Sequence, residues 1–79
     1  MAISPHVDRN TAMVTALLLP VARTIWAIAE VDAERALREW RGATTAQRAG
    51  AYTAYRTAVD REEAAAGDLQ RLADLAQRC

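Results

Sequence analysis

The chain has 79 residues, with ten arginines, ten acids, no lysine and a formal net charge of zero. A chain of that length holds one domain, whose single core supplies only about 3–5 kcal/mol. One cysteine excludes an internal disulfide and one histidine argues against a structural metal. The balanced charge also argues against nonspecific nucleic-acid binding, which depends on a basic excess.

What remains favours helix. Alanine is the commonest residue, and arginine, leucine, glutamate and glutamine supply much of the rest. No stretch alternates apolar and polar residues long enough to make a strand. The expected fold class is all-α: one helical domain over residues 1–79, folded as an antiparallel hairpin that dimerises into a four-helix bundle. The arginine-only basic set reads as codon bias from a GC-rich genome. A lone cysteine suits a reducing compartment, so a cytoplasmic location is expected.

Ser4-Pro5 opens the first helix, expected over about residues 5–41. Serine caps free amides, proline lacks the amide that the first helical position leaves unused, and Asp8 complements the helix dipole. Asn10 or Thr11 is the alternative cap. Pro20 kinks this helix or splits it near Leu19. From Ala12 to Val31 the charges are Arg23 and Glu30, a pattern that approaches a membrane span. Arg23 near its middle, Pro20 inside it and the lack of a flanking basic cluster argue against one. With Met1 in place, a cleaved signal peptide is not expected either. Ala22, Trp26, Ala29, Ala33, Ala36 and Trp40 form a seam at alternating three- and four-residue spacing. Val14, Leu18, Val21, Ile25 and Ile28 form a second stripe beside it.

Gly42 suits a left-handed helix end, and Thr44 with Gln47 matches a capping box for the next helix. The turn is therefore expected over residues 42–44 and the second helix over about 45–77, with a possible break at Gly67-Asp68. Its heptad stripe is Tyr52, Tyr55, Val59, Glu62, Ala66, Leu69, Ala73 and Ala76, widened by Ala51, Ala58, Ala65 and Leu72. Folding back at Ala43 sets Leu17 near Leu69, Val14 near Leu72, Val31 near Tyr55 and Trp40 near Ala46. It also brings Arg23 to Glu62 and Glu63, an ion pair expected to fix register more than to stabilise. The larger side chains Leu17, Leu18, Val21, Ile25 and Ile28 are then free to face a second copy.

No residue set carries chemistry. His6 and Cys79 stand at opposite ends of the chain, the serine and threonines lack triad partners, and the three glycines are isolated. The acids read as solvated faces, with Glu34–Arg38, Arg35–Glu39 and Asp74–Arg78 as helical pairs. No catalytic residue, cofactor or metal is expected. Arg35, Arg38, Arg41 and Arg48 gather near the turn, with Arg56 further along, close to Trp40, Tyr52 and Tyr55. Arginine and aromatics dominate protein interfaces, so this end is the candidate partner-binding surface. A nucleic-acid-binding regulator using the same arginines, with bases stacked on the tyrosines, is an alternative.

Trp40-Arg41-Gly42, placed between two long helices, resembles the W-x-G turn of the WXG-type secreted helical hairpins. That resemblance covers three residues and implies a secreted hairpin. The chain departs from the family pattern in its aliphatic first helix. It also lacks an acid four residues after a tyrosine, since Tyr52 is followed by Arg56 and Tyr55 by Val59. The leading expectation is a small non-enzymatic adaptor, subunit or inhibitor acting by protein–protein contact. Phages and mobile elements encode chains of this size and composition against host defence enzymes.

Overall fold

The computed structural model describes residues 9–78. Two helices, α1 (Arg9–Arg41) and α2 (Arg48–Gln77), pack against each other, and the described residues contain no strand. The fold is the all-α helical hairpin. Ser4, Pro5, His6, Asp8 and Cys79, and with them the expected start of the first helix, lie outside the described residues.

Helix α1 runs without a break through Pro20. Proline removes one amide from the ladder, and the neighbouring turn carries a side-chain bond, in which the Thr24 hydroxyl donates to the Pro20 carbonyl at 3.1 Å. At its far end α1 closes on an α-type bond from the Gly42 amide to Arg38 O at 3.0 Å and then tightens, the Ala43 amide bonding Trp40 O at 3.2 Å. No glycine has positive φ, so Gly42 is not the expected left-handed residue. These two bonds satisfy the carbonyls of Arg38 and Trp40 instead.

Helix α2 starts three residues after the expected Thr45. Thr44 and Gln47 form half of the capping box: the Thr44 amide donates to Gln47 Oε1 at 3.5 Å. Gln47, with φ −95° and ψ −12°, occupies the cap position without a side-chain cap of its own. The Gln47 amide bonds Thr44 O at 3.0 Å, closing a turn over residues 45–47. Gly67 does not break α2, which continues to Gln77.

The interface between the helices is made of small residues. In α1 the buried positions are Thr15, Ala22, Ala29, Ala33 and Ala36, with Leu19, Trp26 and Trp40 half-buried between them. These follow the three-four spacing expected of the seam. In α2 the buried positions are Ala58 and Ala65, and Ala51, Tyr55, Glu62, Leu69 and Leu72 complete the row. The seam of α2 is thus turned by one stripe. Ala58 and Ala65, expected only to widen it, lie at its centre, while Tyr52, Ala66 and Ala76 are exposed. The reason is steric: helix backbones approach most closely where side chains are smallest.

The hairpin is 14 Å across its thin dimension, about one helix with its side chains. A body one helix thick has no enclosed interior, and no large side chain among the described residues is fully buried. The core is alanine, which buries little apolar area per residue.

Candidate functional site

The longer turn moves the return helix along α1. Trp40, expected opposite Ala46, meets Tyr52 with ring centroids 5.1 Å apart and stacks on Tyr55 at 5.5 Å and 12°. Tyr55 packs on the Ala33, Ala36 and Ala58 cluster instead of on Val31. Val31, Val14 and Leu17 are all exposed, so none of the three belongs to the buried seam.

The turn end therefore carries an aromatic trio, half-buried except for Tyr52. Arg38, Arg41 and Arg48 are exposed at the same end of the hairpin. The ion pairs among the described residues are Arg35–Asp32 at 2.8 Å, Arg56–Asp60 at 3.8 Å and Arg71–Asp68. Two of the five gathered arginines, Arg35 and Arg56, are thus paired to acids on their own helix. The expected Glu34–Arg38, Arg35–Glu39 and Asp74–Arg78 pairs are not formed. Arg35 turns back to the shorter Asp32, and Asp74 accepts a hydrogen bond from Gln70 at 3.2 Å.

Arg23 is exposed, and the ion pair expected with Glu62 or Glu63 is not among those present. Arg23 follows the seam residue Ala22 as Glu30 follows Ala29, which sets both on one edge of α1. On that edge Glu30, Glu34 and Glu62 line a shallow acidic groove with Tyr55 and Val59. Glu63 is exposed.

The opposite edge is apolar. Met13, Val14, Leu17, Leu18, Val21, Ile25, Ile28 and Val31 are each 45–67% exposed, and all project from α1. Leu18, Val21 and Ile25 form one wall of a groove of about 450 Å³ whose other wall is Ala65, Leu72 and Leu75, with Asp68 and Arg71 on the rim. The groove continues past Ile28 and Ala58 to Arg61. Met13 and Val31 extend the expected dimer face at both ends. Of the α2 wall, Ala65 and Leu72 belong to the stripe expected to widen the seam, whereas Leu75 and the rim residues Arg61 and Asp68 were not expected there.

No cluster of three or more histidine, cysteine or acidic residues able to hold a metal occurs among the described residues. By length and composition α1 is apolar enough to cross a membrane, with mean hydropathy 1.7 over its most apolar 18 residues. Yet the half of α2 alongside that stretch carries Arg61, Glu62, Glu63, Asp68, Arg71 and Asp74. The intact hairpin would have to take these into hydrocarbon, at about 2.5–3.5 kcal/mol for each charge that reaches the bilayer centre.

No protein-family model, curated protein or solved structure matches this chain.

Proposed function

We propose that the chain is a non-enzymatic helical protein that acts by protein–protein contact, as an adaptor, subunit or inhibitor in the cytoplasm. One observation carries this reading: a continuous aliphatic face on α1, eight large side chains each about half exposed. Isolated apolar residues on a surface mean little, but a contiguous patch of this size marks a contact surface. The alanine core points the same way, because a hairpin that buries so little needs further burial to be stable. The turn end supplies a second, polar contact, where exposed Arg38, Arg41 and Arg48 share one end of the hairpin with the exposed ring of Tyr52.

The zero net charge and the pairing of Arg35 and Arg56 with acids favour a protein partner over nucleic acid. The aromatic rings also stack on one another, which leaves Tyr52 alone to receive a base. A secreted hairpin of the WXG type has less support, since its characteristic glycine has no special conformation here.

The test is affinity capture from the native host by the wild-type chain, by Ile25→Glu and by Arg41→Glu. A partner held by the wild type and lost with either variant supports the proposal. An empty capture, or salt-sensitive retention on heparin lost with Arg41→Glu, contradicts it.

A further inference from the structure

We infer that the occupant of the α1 face is a second copy of this chain, docked antiparallel across a two-fold axis at Val21; this rests on the reading of the chain as a protein that works by protein contact. The row at the centre of the face is a palindrome. Val14, Leu17, Val21, Ile25 and Ile28 are separated by three, four, four and three residues. At about 100° per residue all five lie within about 40° of the Val21 direction. Reversed about Val21, the row maps onto itself. The axis sets Val14 against Ile28 of the second copy, Leu17 against its Ile25, and Val21 against its Val21. An isologous contact requires such self-complementarity, and an unrelated partner does not.

The area fits as well. The eight large side chains offer at most about 800 Å² per copy, reaching the ~800 Å² each partner contributes to a standard interface when the whole face is covered. No charge of α1 is trapped, and Asp68 and Arg71 on the rim of the groove are paired with each other. Arg23 and Glu30 are the charged residues between Met13 and Val31, and both point away from Val21, roughly 160–180° around α1. The groove beside Leu18 and Ile25 gives the incoming helix a trough to lie in. A lipid surface is the rival occupant, but a chain of zero net charge offers anionic lipid no electrostatic attraction.

Single cysteines in a Cys79→Ser background test the axis. Mild oxidation of Val21→Cys is expected to give a disulfide-linked dimer. Val14→Cys alone and Ile28→Cys alone are not, whereas their equimolar mixture is. Sedimentation equilibrium of the wild type is expected to read twice 8.6 kDa. Val21→Glu, which opposes two carboxylates at the axis, should weaken the dimer about 100-fold or more while far-UV circular dichroism stays helical. If that variant loses its helix, the cysteine pairs decide alone. A monomer at every concentration, self-linking at residues 14 and 28, or a monomer that floats with phosphatidylcholine–phosphatidylglycerol vesicles overturns the inference. A monomer that still captures a host partner ends the second-copy assignment and leaves the proposed function standing; a dimer that captures nothing does the reverse.

Discussion

Replacing Trp40 with alanine removes the ring that ties the turn to the seam. The indole is half-buried, stacked on Tyr55 at 5.5 Å and tilted against Tyr52 at 5.1 Å. Tyr55 in turn packs on the cluster of Ala33, Ala36 and Ala58. Truncating a fully buried tryptophan costs about 3–5 kcal/mol, and partial exposure lowers this to about 2–3 kcal/mol here. The stacked pair supplies about 0.5–1.5 kcal/mol of that beyond simple burial. Against a total of about 3–5 kcal/mol for so small a core, the loss removes half the stability or more. Urea unfolding followed by far-UV circular dichroism, at one fixed protein concentration, measures it in Trp40→Ala, Tyr55→Ala and the double variant. The double-mutant cycle should return a coupling of about 1 kcal/mol for Trp40 with Tyr55. The equivalent cycle with Tyr52, which is 45% exposed, should return less. Single losses below about 0.5 kcal/mol with no coupling would mean that the rings do not meet in solution. The helix register they fix would then be wrong as well.

Pro20→Ala restores an amide donor inside a continuous helix at an exposed position, and should raise stability by about 1–3 kcal/mol, read as a higher urea midpoint. Gly50→Ala should add about 0.5–1 kcal/mol, because nothing lies within 4 Å of the new methyl and α2 gains a better helix former. Gly42→Ala should change stability by less than about 0.5 kcal/mol, since φ is not positive there and the added carbon meets Arg38 O at an ordinary 3.5 Å. A large loss with Gly42→Ala in thermal unfolding would show that the turn has the left-handed conformation after all.

The hairpin and the α1 seam were legible because both rest on periodicity. Alanines and tryptophans spaced by three and four from Ala22 to Trp40 describe one line on a helix, whatever partner covers it. The α2 seam was harder, because Tyr52 and Tyr55 weight a hydrophobicity count toward their own stripe. What decides the line is close approach, which the small Ala58 and Ala65 permit and Tyr52 does not. The turn misled for a similar reason: Trp40-Arg41-Gly42 looks like a glycine-terminated helix, yet the chain tightens its last turn and spends residues 42–47 before α2 begins. That longer turn slides the helices and moves Trp40 from Ala46 to the two tyrosines. The Arg23 ion pair failed because long exposed side chains answer to their nearest neighbours, as Arg35 does to Asp32 and Arg71 to Asp68. The α1 face was readable as surplus apolar surface, but the identity of what covers it is written in no motif. Contact surfaces need area and shape, not fixed residue types at fixed spacing, so the sequence shows the surface before it shows the partner.

Ile25 and Ile28 are 54% and 57% exposed in the single hairpin, which makes their methyl groups direct reporters of an occupied α1 face. Methyl NMR with a soluble paramagnetic relaxation agent, repeated over a concentration series, reads that exposure. A hairpin that covers its aliphatic face with a second copy predicts strong broadening of both methyls in dilute protein and protection as the concentration rises. Equal broadening at every concentration would contradict it.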